Sequence, residues 1–141
     1  MDGAGVGVLV QVGIRWSDMD AYGHLNHART VTILEEARVQ WLFEPGSPTA
    51  DMARGSVVAD LHVHYRSQLT HADTPLSVLM WISRMRAADA VIAYELRPAA
   101  RPESAPAVTA STQLVPFDLA AQRPRRFTDV ERCALQGWVR G

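Results

Sequence analysis

The chain has 141 residues, 48% hydrophobic and 21% charged, the composition of one globular domain rather than of a disordered segment. Fourteen cations against fifteen anions leave a formal net charge of −1, which excludes a global electrostatic pull toward nucleic acid. All the cations are arginine and the one cysteine is Cys133; Schiff-base chemistry, a Walker-type phosphate loop, an internal disulfide and a multi-thiolate zinc site are therefore excluded.

Val6, Val8, Val10, Val12, Ile14 and Trp16 alternate with Gly7, Gln11, Gly13 and Arg15, a period of two that predicts a strand. The first dozen residues are apolar but lack a basic region, so they make a poor signal peptide. No run approaches the roughly 18 apolar residues of a membrane span. The expected location is cytoplasmic, with no membrane partner. A polar, turn-rich stretch at 17–26 leads into residues 27–43, which contain no Gly or Pro. Thr30, Ile33, Leu34, Ala37 and Trp41 recur there at helical spacing, behind Asn26 as N-cap. Glu44, Pro45 and Gly46 end that helix.

After a loop at 45–56, four strand-like runs follow: 57–69, 76–86, 90–97 and 107–117. In the first, Val57, Ala59, Leu61, Val63, Tyr65 and Leu69 form the predicted apolar face, and Asp60, His62, His64, Arg66 and Gln68 the polar one. A short helix opening at Thr128 and carrying Cys133 closes the chain. Successive strands joined by short turns are most simply antiparallel neighbours. One long helix with one apolar stripe must be covered by their common sheet. The predicted fold is α+β over residues 1–141: a curved antiparallel sheet of about five strands wrapped around a central helix. Such a sheet keeps an open edge, which oligomerisation would cover.

The densest chemistry is Asp18, Asp20, His24 and His27, where a polar loop delivers carboxylates to a helix N-terminus. Free N–H groups and a positive dipole end make that a place for an oxyanion. A carboxylate beside it suffices to cleave a thioester, whose leaving thiolate needs little protonation because a thiol pKa is only about 8.5. The segment from Arg15 through Asp18, Asp20, Gly23, His24, Asn26 and His27 to Arg29, followed by Leu34-Glu35-Glu36-Ala37-Arg38, resembles the hot-dog-fold acyl-CoA thioesterases of the 4-hydroxybenzoyl-CoA thioesterase type. The resemblance runs along almost the whole chain. It implies a hot-dog fold, hydrolysis of an acyl-CoA to a free acid and coenzyme A, and a homodimer or dimer of dimers with the substrate between subunits. It places the catalytic carboxylate on Asp20, as nucleophile or general base, and the oxyanion donor at the backbone N–H around His27. A related branch of the fold puts its carboxylate on the helix, which makes Glu35 a second catalytic candidate.

Tyr22, Gly23, His24 and Asn26 surround Asp20 in sequence and are expected in substrate binding, with Gly23 allowing a tight turn. Arg84 and Arg86 share a face at a strand end and are the candidates for the phosphates of coenzyme A; the cluster Arg123, Arg125 and Arg126 is their rival. The acyl pocket is expected between the helix and residues 44–56. No metal and no cofactor beyond the coenzyme A of the substrate is implied. Alternatives on the same residues are a non-hydrolytic acyl-CoA or acyl-carrier-protein binder, a hydratase, and a metal enzyme using the two aspartates and two histidines.

Overall fold

The computed structural model describes residues 6–140. Its elements in chain order are β1 (Val8–Val12), α1 (His27–Leu42), β2 (Ser56–Tyr65), β3 (Leu76–Met85), β4 (Ala90–Pro98), β5 (Val108–Asp118), β6 (Arg123–Pro124) and α2 (Asp129–Gln136). The long strands form one antiparallel sheet in the order β1-β3-β4-β5-β2, and the two-residue β6 hooks onto the end of β5. This is the predicted α+β hot-dog architecture, with the sheet curled around α1.

The buried stripe of α1 (Thr30, Ile33, Leu34, Ala37, Leu42) supplies the reason for the curl. It packs into Val12 and Ile14, the β3 row Leu76, Val78, Met80 and Ile82, and the β4 residues Ile92 and Leu96. Each aliphatic side chain buried this way contributes about 1.5–3 kcal/mol.

Three expectations are corrected. The first strand is shorter than its alternation: the β1–β3 ladder stops at Val12↔Leu76. The next residue on β3's side is Pro75, which has no N–H to donate, and Ile14 N–H donates instead to Thr74 Oγ1 at 2.9 Å. Next, β2 and β3 are successive but not neighbours. β2 crosses to pair with β5, from Ser56↔Pro116 to Tyr65↔Val108. Finally, β2 does not alternate cleanly, because a bulge between Val58 and Asp60 shifts its register on β5. Partners of the buried β5 residues Val108, Ala110, Thr112 and Leu114 lie on the helix side of the sheet, so Val58, Leu61, Val63 and Tyr65 face inward. Val57, opposite Val115, faces out. Cys133 lies exposed on α2.

At the chain end, Thr128 caps α2 through its Oγ1 and the Glu131 N–H. Glu131 is 1% exposed and accepts both Arg125 Nη1 at 2.8 Å and Nη2 at 2.9 Å. Arg125, a candidate phosphate ligand by sequence, is thus held in a structural ion pair. Burial pushes the Glu131 carboxyl up, but the Arg125 fork and the Thr128 N–H outweigh it and hold it below its ordinary value of 4.5. A depressed folded pKa stabilises the fold above the unfolded pKa, and that contribution is lost as pH falls through the folded one. Glu131→Gln is therefore expected to lower the melting temperature at neutral pH by roughly 10 °C, from the ~3 kcal/mol cost of breaking a buried pair in a domain of this size. The gap from wild type, followed by thermal melts, should close as pH falls below 4.5.

Candidate active site

Residues 15–26 connect β1 to α1 through a tightly bonded loop. Asp20 N–H donates to the His24 carbonyl at 2.7 Å and Gly23 N–H to the Asp20 carbonyl at 3.1 Å. Gly23 has φ +80°, a left-handed conformation that costs glycine little and other residues more. Asn26 N–H donates to the Asp18 carbonyl and Leu25 N–H to the Leu69 carbonyl, which stitches the loop to the chain beyond β2.

The two aspartates have opposite fates. Asp18 is buried and its Oδ2 accepts the Arg15 N–H at 2.9 Å, with Arg29 Nε 3.9 Å from Oδ1. It shapes the loop. Asp20 Oδ1 accepts the Tyr22 N–H at 2.8 Å and the His24 N–H at 3.1 Å. Its Oδ2 has no hydrogen-bond donor among the described residues. The His24 N–H draws the carboxyl below its ordinary value of 3.8; desolvation opposes this and the Tyr22 N–H reinforces it.

Asn26 caps α1: its Oδ1 accepts the Ala28 N–H at 2.8 Å and the Arg29 N–H at 3.4 Å, and its carbonyl accepts Thr30 N–H. Among the described residues the His27 N–H, also in the first turn, has no acceptor. The cap thus satisfies its neighbours and leaves this one donor available at the positive end of the helix.

Asp20, Tyr22, His24 and His27 line one cavity of about 390 Å³, closed by Thr30, Val108 and Tyr65 and by residues 67–69. Tyr65 O–H donates to the His27 carbonyl at 2.7 Å, tying the end of β2 to the start of α1. Burial pushes the Tyr65 phenol up, which keeps its donating proton in place. Sequence reasoning left Tyr65 among the core residues; its polar neighbours Ser67 and Gln68, following an apolar strand, were the available signal.

The other expected residues lie elsewhere. Gly23 and Asn26 build the loop and cap without lining the cavity. None of residues 44–56 lines it either; its wall is the end of β2. Glu35 lines a second cavity beside Val58 and Leu61 and stands 3.7 Å from Arg38. Arg84 and Arg86 sit at the β3–β4 hairpin, Arg84 about 26 Å further along β3 than Leu76 at roughly 3.3 Å per residue. Both are ion-paired with Asp89, at 3.3 and 3.1 Å. Among the described residues no group of three His, Cys, Asp or Glu is spaced to hold a metal, and no helix is long and apolar enough to cross a membrane.

A sheet rolled around one helix, with the Asp20 carboxylate in a cavity beside that helix's N-terminus, defines a hot-dog domain. Residues 14–138 match the model of the thioesterase-like superfamily, and the chain belongs to that family. Solved structures agree. A protein of Pseudomonas aeruginosa described as a candidate thioesterase is 29% identical, with 89% of this chain and 95% of that one covered and a TM-score of 0.77. A DHNA-CoA thioesterase of Staphylococcus aureus is 25% identical, covering 85% and 80%, TM-score 0.72. A thioesterase of Thermus thermophilus complexed with coenzyme A and Zn is 20% identical, covering 93% and 92%, TM-score 0.75. No curated protein matches the chain.

The depressed Asp20 carboxyl is directly measurable. In a carbon-detected NMR titration its side-chain signal is expected to have a midpoint below 3.8; a midpoint above that value would mean that the two backbone N–H bonds are not formed in solution.

Proposed function

We propose that this protein is an acyl-CoA thioesterase that uses water to split an acyl-CoA into a free acid and coenzyme A. The observation that carries the reading is the pairing, in one cavity, of an ionised Asp20 whose Oδ2 has no donor among the described residues with a His27 N–H that has no acceptor there. Family membership supports thioester hydrolysis, and the coenzyme A held by the Thermus thermophilus relative supports the acyl-CoA class.

Asp20 acts on the thioester carbonyl, either by direct attack to give a mixed anhydride that water then opens, or by taking a proton from the attacking water. In both routes negative charge grows on the carbonyl oxygen, and the His27 N–H is the donor placed to receive it. The two N–H bonds to Oδ1 fix the carboxylate in orientation and leave Oδ2 for chemistry. Expulsion of the thiolate needs no strong acid, given a thiol pKa of about 8.5.

The chain also belongs in a homo-oligomer, a dimer or a dimer of dimers. β2 is a ten-residue edge strand whose outer side has no partner among the described residues. Val57, Val58, Leu61 and Tyr65 along it are 37–51% exposed, a liability for an edge left alone in water.

Asp20→Asn keeps the size and the acceptor oxygen for Tyr22 and His24 but removes the charge. Thiol release from a panel of short, long and aromatic acyl-CoAs is expected to fall at least about a hundredfold in kcat, roughly 2.7 kcal/mol of barrier. Retention of rate would move the carboxylate role to Glu35, and a wild type that binds intact ester without releasing thiol would make the protein a binder. Sedimentation at micromolar concentration is expected to give a dimer or larger species; a monomer would sink the assembly.

A further inference from the structure

Arg38 is the most unusual charge in the molecule. Its side chain is only 10% exposed, on the inward stripe of α1. A buried guanidinium is costly unless an anion meets it. Its hydrogen-bond partner is neutral: Nη1 donates to Tyr94 Oη at 3.2 Å, which shares a 2.7 Å bond with Thr112 Oγ1. The nearest carboxylate, Glu35, is 3.7 Å from Nη2, is 63% exposed and stands at the solvent rim; an exposed pair of that kind is worth little. No buried side-chain nitrogen or oxygen lacks a partner among the described residues, so the remaining guanidinium N–H groups reach accessible space. That space is a cavity of about 260 Å³ walled by Val31, Leu34, Val58, Leu61 and Thr112, with Glu35 its one acid.

This second cavity follows the Asp20 cavity along the same walls. On α1 the lining passes from Thr30 to Val31, Leu34 and Arg38; on β5 from Val108 to Thr112; on β2 from Tyr65 to Leu61 and Val58. Thr30 and Arg38 are about 12 Å apart at 1.5 Å per helical residue, and Val108 and Thr112 about 13 Å at 3.3 Å per strand residue. The Arg38 side chain leans back toward the helix N-terminus, shortening the span.

We propose that the acyl group this site accepts carries a second carboxylate at its far end, bound by Arg38 with the Thr112 hydroxyl beside it. The chain would be aliphatic and of about six to eight carbons, running from Asp20 through the apolar stretch formed by Val31, Leu34 and Leu61. Such a substrate supplies a buried anion in place of the solvent-facing Glu35, which turns out to solvent as it enters. The proposal rests on the thioesterase reading of the first cavity and names its substrate class.

The test compares octanoyl-CoA with suberyl-CoA, the same eight-carbon chain with and without the distal carboxylate. Wild type is expected to favour suberyl-CoA at least tenfold in kcat/KM, mostly through KM. Arg38→Met should reverse that order while octanoyl-CoA turnover stays within a few fold. Thr112→Val, a near-isosteric change, should reduce the preference without reversing it, and serves if Arg38→Met does not fold. Equal use of the two esters by wild type, or a preference for octanoyl-CoA, overturns the proposal, as does an Arg38→Met variant that loses both activities in proportion. Should neither ester release thiol, the hydrolase reading fails separately, and calorimetric titration with the same esters decides the groove: tighter suberyl-CoA binding by wild type upholds it, and equal binding overturns it.

Discussion

Between Thr30 and Leu42 the central helix turns a continuous stripe toward the sheet, and the sheet bends to meet it. Burial of that stripe fixes the helix axis, and with it the position of the helix N-terminus relative to the end of β1. The connector of residues 15–26 has little freedom left, because it must span two fixed ends while satisfying its own backbone groups. It does so by hydrogen bonds to itself and to Leu69. Asp20 is held in place by that closure rather than by packing of its own side chain. In the proposed reaction such a rigid frame would keep the carboxylate's geometry throughout, which is where much of a positioned group's effect originates.

Asp18, Glu131 and Asp89 are each matched to arginines, and serve the loop, the C-terminal helix and the β3–β4 hairpin in turn. Asp20 is matched only to backbone N–H groups on one oxygen. Two carboxylates two residues apart are thereby divided into one built into the loop and one with an oxygen left unbonded. The difference is made by which of them has its second oxygen occupied.

The helix, its Asn26 cap and the β3–β4–β5 meander were legible in the sequence because each rests on local periodicity or on neighbours in the chain. The Asp20 loop was legible through its residue pattern. The pairing of β2 with β5 was not, since it joins segments some fifty residues apart and nothing local distinguishes it from a hairpin with β3. Arg84 and Arg86 looked available because alternation reports a shared face but not the Asp89 carboxylate folded back across the hairpin. Tyr65 looked like core because period-two reading sees an apolar ring and not the hydroxyl meeting a carbonyl 38 residues away. Arg38 was visible as part of the helix motif; that it lies inside could be known only once the helix had a face to bury.

The bulge in β2 has a consequence for chain length. Val58 and Leu61 are three residues apart yet share the inner face, because Ala59 is the extra residue between two paired positions. Removing Ala59 would leave a regular strand with Val58, Leu61, Val63 and Tyr65 all on their present side. Removing any single residue between Leu61 and Tyr65 would instead turn one end of the strand inside out, parting Tyr65 from His27 or Val58 from the groove. Ala59 is therefore the position at which this strand can lose a residue while the cavity walls at both ends keep their lining.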